Sequence, residues 1–167
     1  MNEGNLLDKS MHALAGATAL IGGAVLVAIV VMTCVSVTGR GLISLGLSPV
    51  EGDFELVEIG TAFAVFAFLP WCHLKRGHAR VELFTARFSN RLNNWIDVAS
   101  DVLFVVMAGL IAWRLWLGML DKKSYFETTF ILQIEIWQAY AACMIGAAVF
   151  TIVSIYQLGC SLKRAFS

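Results

Sequence analysis

The sequence predicts an all-α membrane protein with four transmembrane helices and an amphipathic interfacial helix between the second and third spans. Three observations carry this reading. Hydrophobic residues make up 59% of the 167-residue chain and charged residues only 14%, against roughly 45–50% and 25% in ordinary soluble domains. Four apolar stretches, at about 12–38, 54–74, 97–120 and 135–160, each reach the roughly 20 residues that a bilayer crossing requires. Between the second and third stretches lies a basic segment whose apolar residues recur at helical spacing. Backbone in hydrocarbon must satisfy its own hydrogen bonds, so the four stretches are expected as helices. No Pro/Gly/Ser linker divides them, and residues 1–167 read as a single four-helix domain.

The first stretch, from Ala13 to Val37, exceeds the roughly 7–15 residues of a signal-peptide core and lacks an A-x-A site, so it is expected as a retained transmembrane helix. Ala15, Ala19 and Gly23 lie four apart on it, as do Ala139, Cys143 and Ala147 on the fourth. Small faces of this kind let helices approach closely in lipid. They serve either internal packing or docking of another subunit.

Glu55 and Glu58, three apart at the start of the second span, share a helical face. Asp97 and Asp101 do so at the start of the third, and Arg114 stands between Trp113 and Trp116 near its other end, where it can snorkel. A charge in hydrocarbon costs about 2.5–3.5 kcal/mol on insertion scales, which favours pairing between helices or subunits. Arg40, Glu55, Glu58 and Asp101 are therefore candidate buried-charge or subunit-interface residues, with Arg40 the expected partner of Glu55 or Glu58.

The interfacial helix is expected at about 79–95. Val81, Phe84, Phe88, Leu92 and Trp95 form its apolar stripe, and Arg80, Glu82, Arg87, Asn90, Arg91 and Asn94 occupy the other sides. Such a helix lies in the headgroup plane with its cations towards lipid phosphates. Arg76, His78, Arg80, Arg87, Arg91 and Trp95 are the candidate phospholipid contacts. This connection and the C-terminal tail, with Lys163 and Arg164, carry the excess of positive charge, whereas the other two connections mix Arg40, Lys122 and Lys123 with Glu51, Asp53, Asp121 and Glu127. Positive charge favours the cytoplasmic side, so both termini are expected there.

Several functions are disfavoured. Twelve basic and twelve acidic residues create no overall field for nucleic acid. The four cysteines occur singly, and His12, His73 and His78 fall at span ends rather than inside, where a haem would need them. His73 and His78 lack acidic or thiolate partners at ligand spacing. No phosphate-cradling G-x-x-x-x-G-K-[ST] loop occurs and no G-x-S-x-G nucleophile elbow, so neither an enzyme nor a bound cofactor is expected. Transporters commonly hold cargo at the midplane on broken helices. Here Pro49 lies in a connection, Pro70 lies near a span end, and no ionisable residue is expected at the midplane. The chain reads as a support more than a transport engine.

The run FELVEIGTAFAVFAFLPWCHLKRGHARVEL, residues 54–83, resembles the small membrane subunit of tripartite ATP-independent periplasmic (TRAP) transporters. Glu55-Leu56 stand where that family opens its second span, and Arg76, His78 and Val81 match its R-x-H-x-x-V-like segment. Arg40 matches an arginine that often ends the first span, and Ile134, Trp137 and Tyr140 match the I-x-x-W-x-x-Y opening of the last. Cys72 and Arg114 match no family position. The resemblance adds Trp137 and Tyr140 to the subunit-interface candidates. It implies a bacterial inner-membrane complex with a large membrane transport subunit and a periplasmic substrate-binding protein. In such a complex a sodium gradient, coupled in the large subunit, would drive uptake of an organic acid anion, and the small subunit would act as scaffold. Two alternatives stand beside it: the membrane anchor of a redox complex, and a small homodimeric exporter.

Overall fold

A computed structural model of the chain describes residues 3–75 and 90–166. Four long helices carry the fold: α1 (Glu3–Gly41), α2 (Asp53–Leu74), α3 (Asn90–Ser124) and α4 (Ile136–Phe166). A single 3-10 turn at Ile43–Leu45 follows α1. Among the described residues the one extended pairing is an isolated bridge between Thr128 and Glu135. All four helices are long and apolar enough to cross a membrane. At 1.5 Å per residue α2 is roughly 33 Å long and α1 roughly 58 Å. The first therefore matches the roughly 30 Å hydrocarbon core, and the second overruns it. The polar start of α1, through Asp8, Lys9 and Ser10, suits that overrun.

The expected spans and the observed helices coincide, but the helices extend further at both ends of α1 and of α3 and at the C-terminal end of α4. The interfacial helix expected at 79–95 falls mostly on residues outside those described, as do Arg76, His78, Arg80 and Arg87. Its last part is corrected: residues 90–95 are the first turns of α3, continuous with the span, because no helix-breaking residue separates Asn90 from the apolar run.

The order of contact is α1–α2–α4–α3. α2 packs on both α1 and α4, α3 lies chiefly against α4, and α1 touches α4 only slightly. The outward faces of α1 and α3 leave Leu20, Val27, Val30, Leu103, Val106 and Leu110 exposed. Hydrocarbon accepts such surface without cost, so these helices are held by shape and not by hiding apolar area. Shape complementarity is concentrated where backbones meet. A Cβ on Gly22 would sit 2.8 Å from that of Ala67, and one on Gly146 would sit 2.7 Å from the carbonyl carbon of Phe66. Gly60 would collide in the same way with Ile29. α2 is thus clasped by glycine contacts on both sides.

The core fills the spaces between these contacts at the end that carries the termini. Ala15, Leu74, Val149 and Val153 form a buried cluster with Trp71 and Tyr156 against it. His73 is buried there, its ring centroid 4.6 Å from that of Phe104 and 5.8 Å from that of Phe150. Of the two small-residue faces, Ala15, Cys143 and Ala147 are buried within the chain. Those positions serve internal packing. Pro70 is accommodated inside α2, fully buried.

Gly146→Val is expected to destabilise the fold by about 1–3 kcal/mol through overpacking, because the clash is with backbone. Gly159→Val, where a Cβ would meet nothing within 4 Å, should change little. Thermal unfolding of the two variants in one detergent gives the comparison.

Candidate functional site: a polar clasp at the loop end

The end opposite the termini joins α1 to α2 and α3 to α4, and its polar groups are paired in a consistent way. Gly52 precedes α2 with φ 73, left-handed backbone that glycine adopts without steric cost. A Cβ there would also lie 2.5 Å from Leu132 Cγ. Asp53 and Glu55 occupy the first turn of α2, where the exposed N–H groups of the helix favour negative charge.

Asp53 closes the first connection. Its Oδ2 accepts from the Ser36 hydroxyl at 2.6 Å and from Arg40 Nη2 at 3.0 Å. Its Oδ1 accepts from the Phe54 amide at 2.9 Å. Ser36 is fully buried and itself accepts from the Val50 amide at 3.3 Å. Ser36 and Arg40 are four apart and so share one face of α1. A single carboxylate thereby ties the last turns of α1 to the first turn of α2. The expected partner of Arg40 is corrected: it pairs with Asp53, not with Glu55 or Glu58, because Asp53 opens the helix directly opposite the Ser36/Arg40 face.

Glu55 closes the second connection. Its two oxygens accept from the Ile131 and Leu132 amides at 2.7 and 2.9 Å. These charge-assisted bonds are stronger than neutral ones, and they join residues 76 and 77 positions apart in the chain. The loop they hold is shaped by Phe126 and Gln133, both with left-handed backbone at φ 51 and 52, and by the Thr129 amide donating to the Ile134 carbonyl at 2.9 Å. Lys122 Nζ pairs with Glu127 Oε2 at 2.6 Å. The outcome is a fixed loop whose tip, Phe130, is 99% exposed. Glu58, one turn further along α2, is exposed.

Trp137 and Tyr140 lie at the start of α4, where the sequence placed them. Trp137 Nε1 donates to Glu135 at 2.8 Å and Lys123 Nζ stands 5.2 Å from its ring centroid. Tyr140 packs over Gly118 of α3, where a Cβ would come within 2.8 Å of its ring. At the other end, Asp101 Oδ2 accepts from Ser161 at 2.5 Å, joining α3 to α4. Trp95 stands edge-on to Phe166, centroids 5.8 Å apart, at the start of α3. The roles of Ser36 and Asp53 escaped the sequence reading. The available signal was the Ser36/Arg40 spacing facing an acidic residue at the next helix start.

No three His, Cys, Asp or Glu side chains among the described residues are grouped as a metal would require. The polar groups that are brought together bridge helices and loops. This arrangement defines a multi-pass helical membrane protein whose pairing fixes relative helix position. The family of tripartite ATP-independent periplasmic transporters, DctQ component, matches residues 29–164, and the chain belongs to that family. It is a small membrane component of a TRAP transporter, a family that works with a large membrane subunit and a periplasmic binding protein. No curated protein and no solved structure gives a match.

Glu55→Gln exchanges one acceptor oxygen for an amide donor facing a backbone N–H. Hydrogen exchange at the Ile131 and Leu132 amides should accelerate at least about tenfold, the equivalent of roughly 1.4 kcal/mol of lost local protection. Glu58→Gln should leave both rates unchanged. In thermal unfolding, Asp53→Ala should lower the midpoint more than Arg40→Ala, since only the former strands the buried Ser36 hydroxyl.

Proposed function

We propose that this chain is the stationary scaffold of a sodium-driven importer of an organic acid anion, delivered by a periplasmic binding protein. The observation that carries the reading is the family match over residues 29–164. The geometry is consistent with a static part. α2 is held by close glycine contacts on both sides, and Asp53 and Glu55 bind both connections at the loop end. Substrate and sodium would be handled in the large subunit, which would slide against this fixed reference.

In this reading the chain lies in a bacterial inner membrane with both termini cytoplasmic, supported by the charge excess of the 75–91 connection and the tail. The clasped loop end then faces the periplasm. The fixed loop around Phe130 and the Arg40–Glu51 connection would meet the binding protein there. The exposed apolar sides of α1 and α3 are the surfaces open to the large subunit or to lipid. Arg76, His78, Arg80, Arg87 and Arg91 would contact phospholipid headgroups.

Gentle detergent extraction of the C-terminally tagged chain from its native membrane, followed by mass spectrometry, tests the assignment. A stoichiometric, much larger multi-span protein is expected; a chain that purifies alone as a stable dimer would overturn it. Replacing both Glu55 and Glu58 with glutamine should lower complex yield or sodium-dependent uptake in proteoliposomes. Most of the loss should be reproduced by Glu55→Gln alone. Full yield and uptake in the double variant would contradict the scaffold role given to this end.

A further inference from the structure

Arg114 lies deeper in the bundle than its place in the sequence suggests. Asp101 of α3 and Ser161 of α4 are joined by a hydrogen bond of 2.5 Å. From that bond towards the loop end, Arg114 is 13 residues along α3 and Gly146 is 15 residues along α4, roughly 20 and 22 Å. The two residues therefore stand at nearly one height, and Gly146 lies against the backbone of Phe66 in α2. Phe66 is 8 residues from Glu58 and 9 from Lys75, the nearest Asp, Glu, Lys or Arg on either side in the chain. It marks the middle of the apolar span, and Arg114 is level with it. The expectation that no ionisable residue reaches the midplane is corrected: the register between helices, not the end of the apolar run, sets the depth.

Arg114 is exposed, and it enters no ion pair or hydrogen bond among the described residues. α3 ends the row of helices and packs chiefly on α4, so its far side is open. Leu103, Val106, Leu110, Trp113, Leu117 and Leu120 recur there at alternate steps of three and four, each at least 40% exposed. That is the a/d spacing of a helix-packing seam, and Arg114 holds the flanking e position, where ion pairs between helices select the partner.

We propose that this face of α3 docks a membrane-spanning helix of the large subunit, and that a carboxylate on that helix pairs with Arg114 near mid-membrane. This docking rests on the reading above that a large membrane subunit is present. The apolar seam alone would suit lipid equally well; the charge decides. An unpaired cation at this depth costs about 2.5–3.5 kcal/mol on insertion scales, and such residues pair or face protein. Snorkelling gives little relief, because the Cα–Cβ bond tilts towards the helix N-terminus and aims Arg114 away from the loop-end surface. Trp113 and Trp116, 58% and 51% exposed, lie within a turn of it. Tryptophan in lipid favours the bilayer edges, where headgroups meet its N–H; at mid-depth only protein offers an acceptor. A second copy of this chain could not supply the carboxylate at that height, since no Asp or Glu occurs in 9–50, 59–75, 102–120 or 136–167.

The test extracts the tagged full chain, unchanged or carrying Arg114→Leu or Arg114→Lys, from its native membrane and quantifies the co-purifying large subunit by mass spectrometry. Arg114→Leu should lower that yield at least about fivefold, and Arg114→Lys, which keeps the charge, should recover most of it. Thermal unfolding of each chain alone in detergent separates folding from assembly, and Arg114→Leu should unfold no lower than the unchanged chain. A photoreactive residue at position 110 should crosslink to a membrane-spanning peptide of the large subunit that contains Asp or Glu. Neutralising that acidic residue should reproduce the loss. Exchanging the two charges, with Arg114→Asp here and an arginine there, should restore the complex, and this exchange decides alone if Arg114→Leu unfolds early. Full yield with Arg114→Leu, crosslinks only to lipid or to a second copy, or a crosslinked span without a carboxylate would overturn the docking and leave the family reading in place. An unchanged chain that brings down no larger membrane protein would overturn both.

Discussion

The close approach of α2 to its two neighbours is the constraint on which the rest of the chain depends. In water a bundle is held by removing apolar surface, but in lipid that incentive vanishes and contact must come from fit. Gly22 against Ala67, and Gly146 against the Phe66 backbone, bring three helices within backbone distance. Because both contacts involve α2, its position sets the angle between α1 and α4. The core at the terminal end is one result of that crossing.

Where backbone fit ends, polar pairing takes over. The loop end is organised by two carboxylates one turn of α2 from solvent-facing backbone. Asp53 reaches back to α1 and Glu55 reaches across to the α3–α4 connection. Each accepts bonds that would otherwise leave donors unmet at the edge of the hydrocarbon, where water is scarce. Both described connections, between α1 and α2 and between α3 and α4, are tied to the start of α2 in this way.

The four spans were legible because composition and run length alone decide them. The packing was legible only in kind. A four-residue stripe through Ala15, Ala19 and Gly23 identifies a small face, but a Cβ on Gly23 would meet nothing, whereas neighbouring Gly22 carries the contact. One residue of register moves a side chain about 100° around the helix, and only the partner helix reveals which position faces it. The charge pairing failed for a related reason. Arg40 had four acidic residues within reach in sequence, Glu51, Asp53, Glu55 and Glu58, and the choice of Asp53 depends on a buried serine that is unremarkable as a letter. The partners of Glu55 at positions 131 and 132 are backbone amides, which carry no residue identity and leave no trace in sequence pattern.

That last feature has a bearing on how such a chain can change. Glu55 reads two amide hydrogens, so its hold on the loop is indifferent to which side chains occupy positions 130 and 131, proline at 131 excepted. Placement and surface chemistry are thereby separated: the tip can be rewritten in size, polarity or charge while remaining at the same height above the bilayer. A lineage in which a partner at this end is exchanged for another could follow by drift at the tip alone, with its mounting undisturbed.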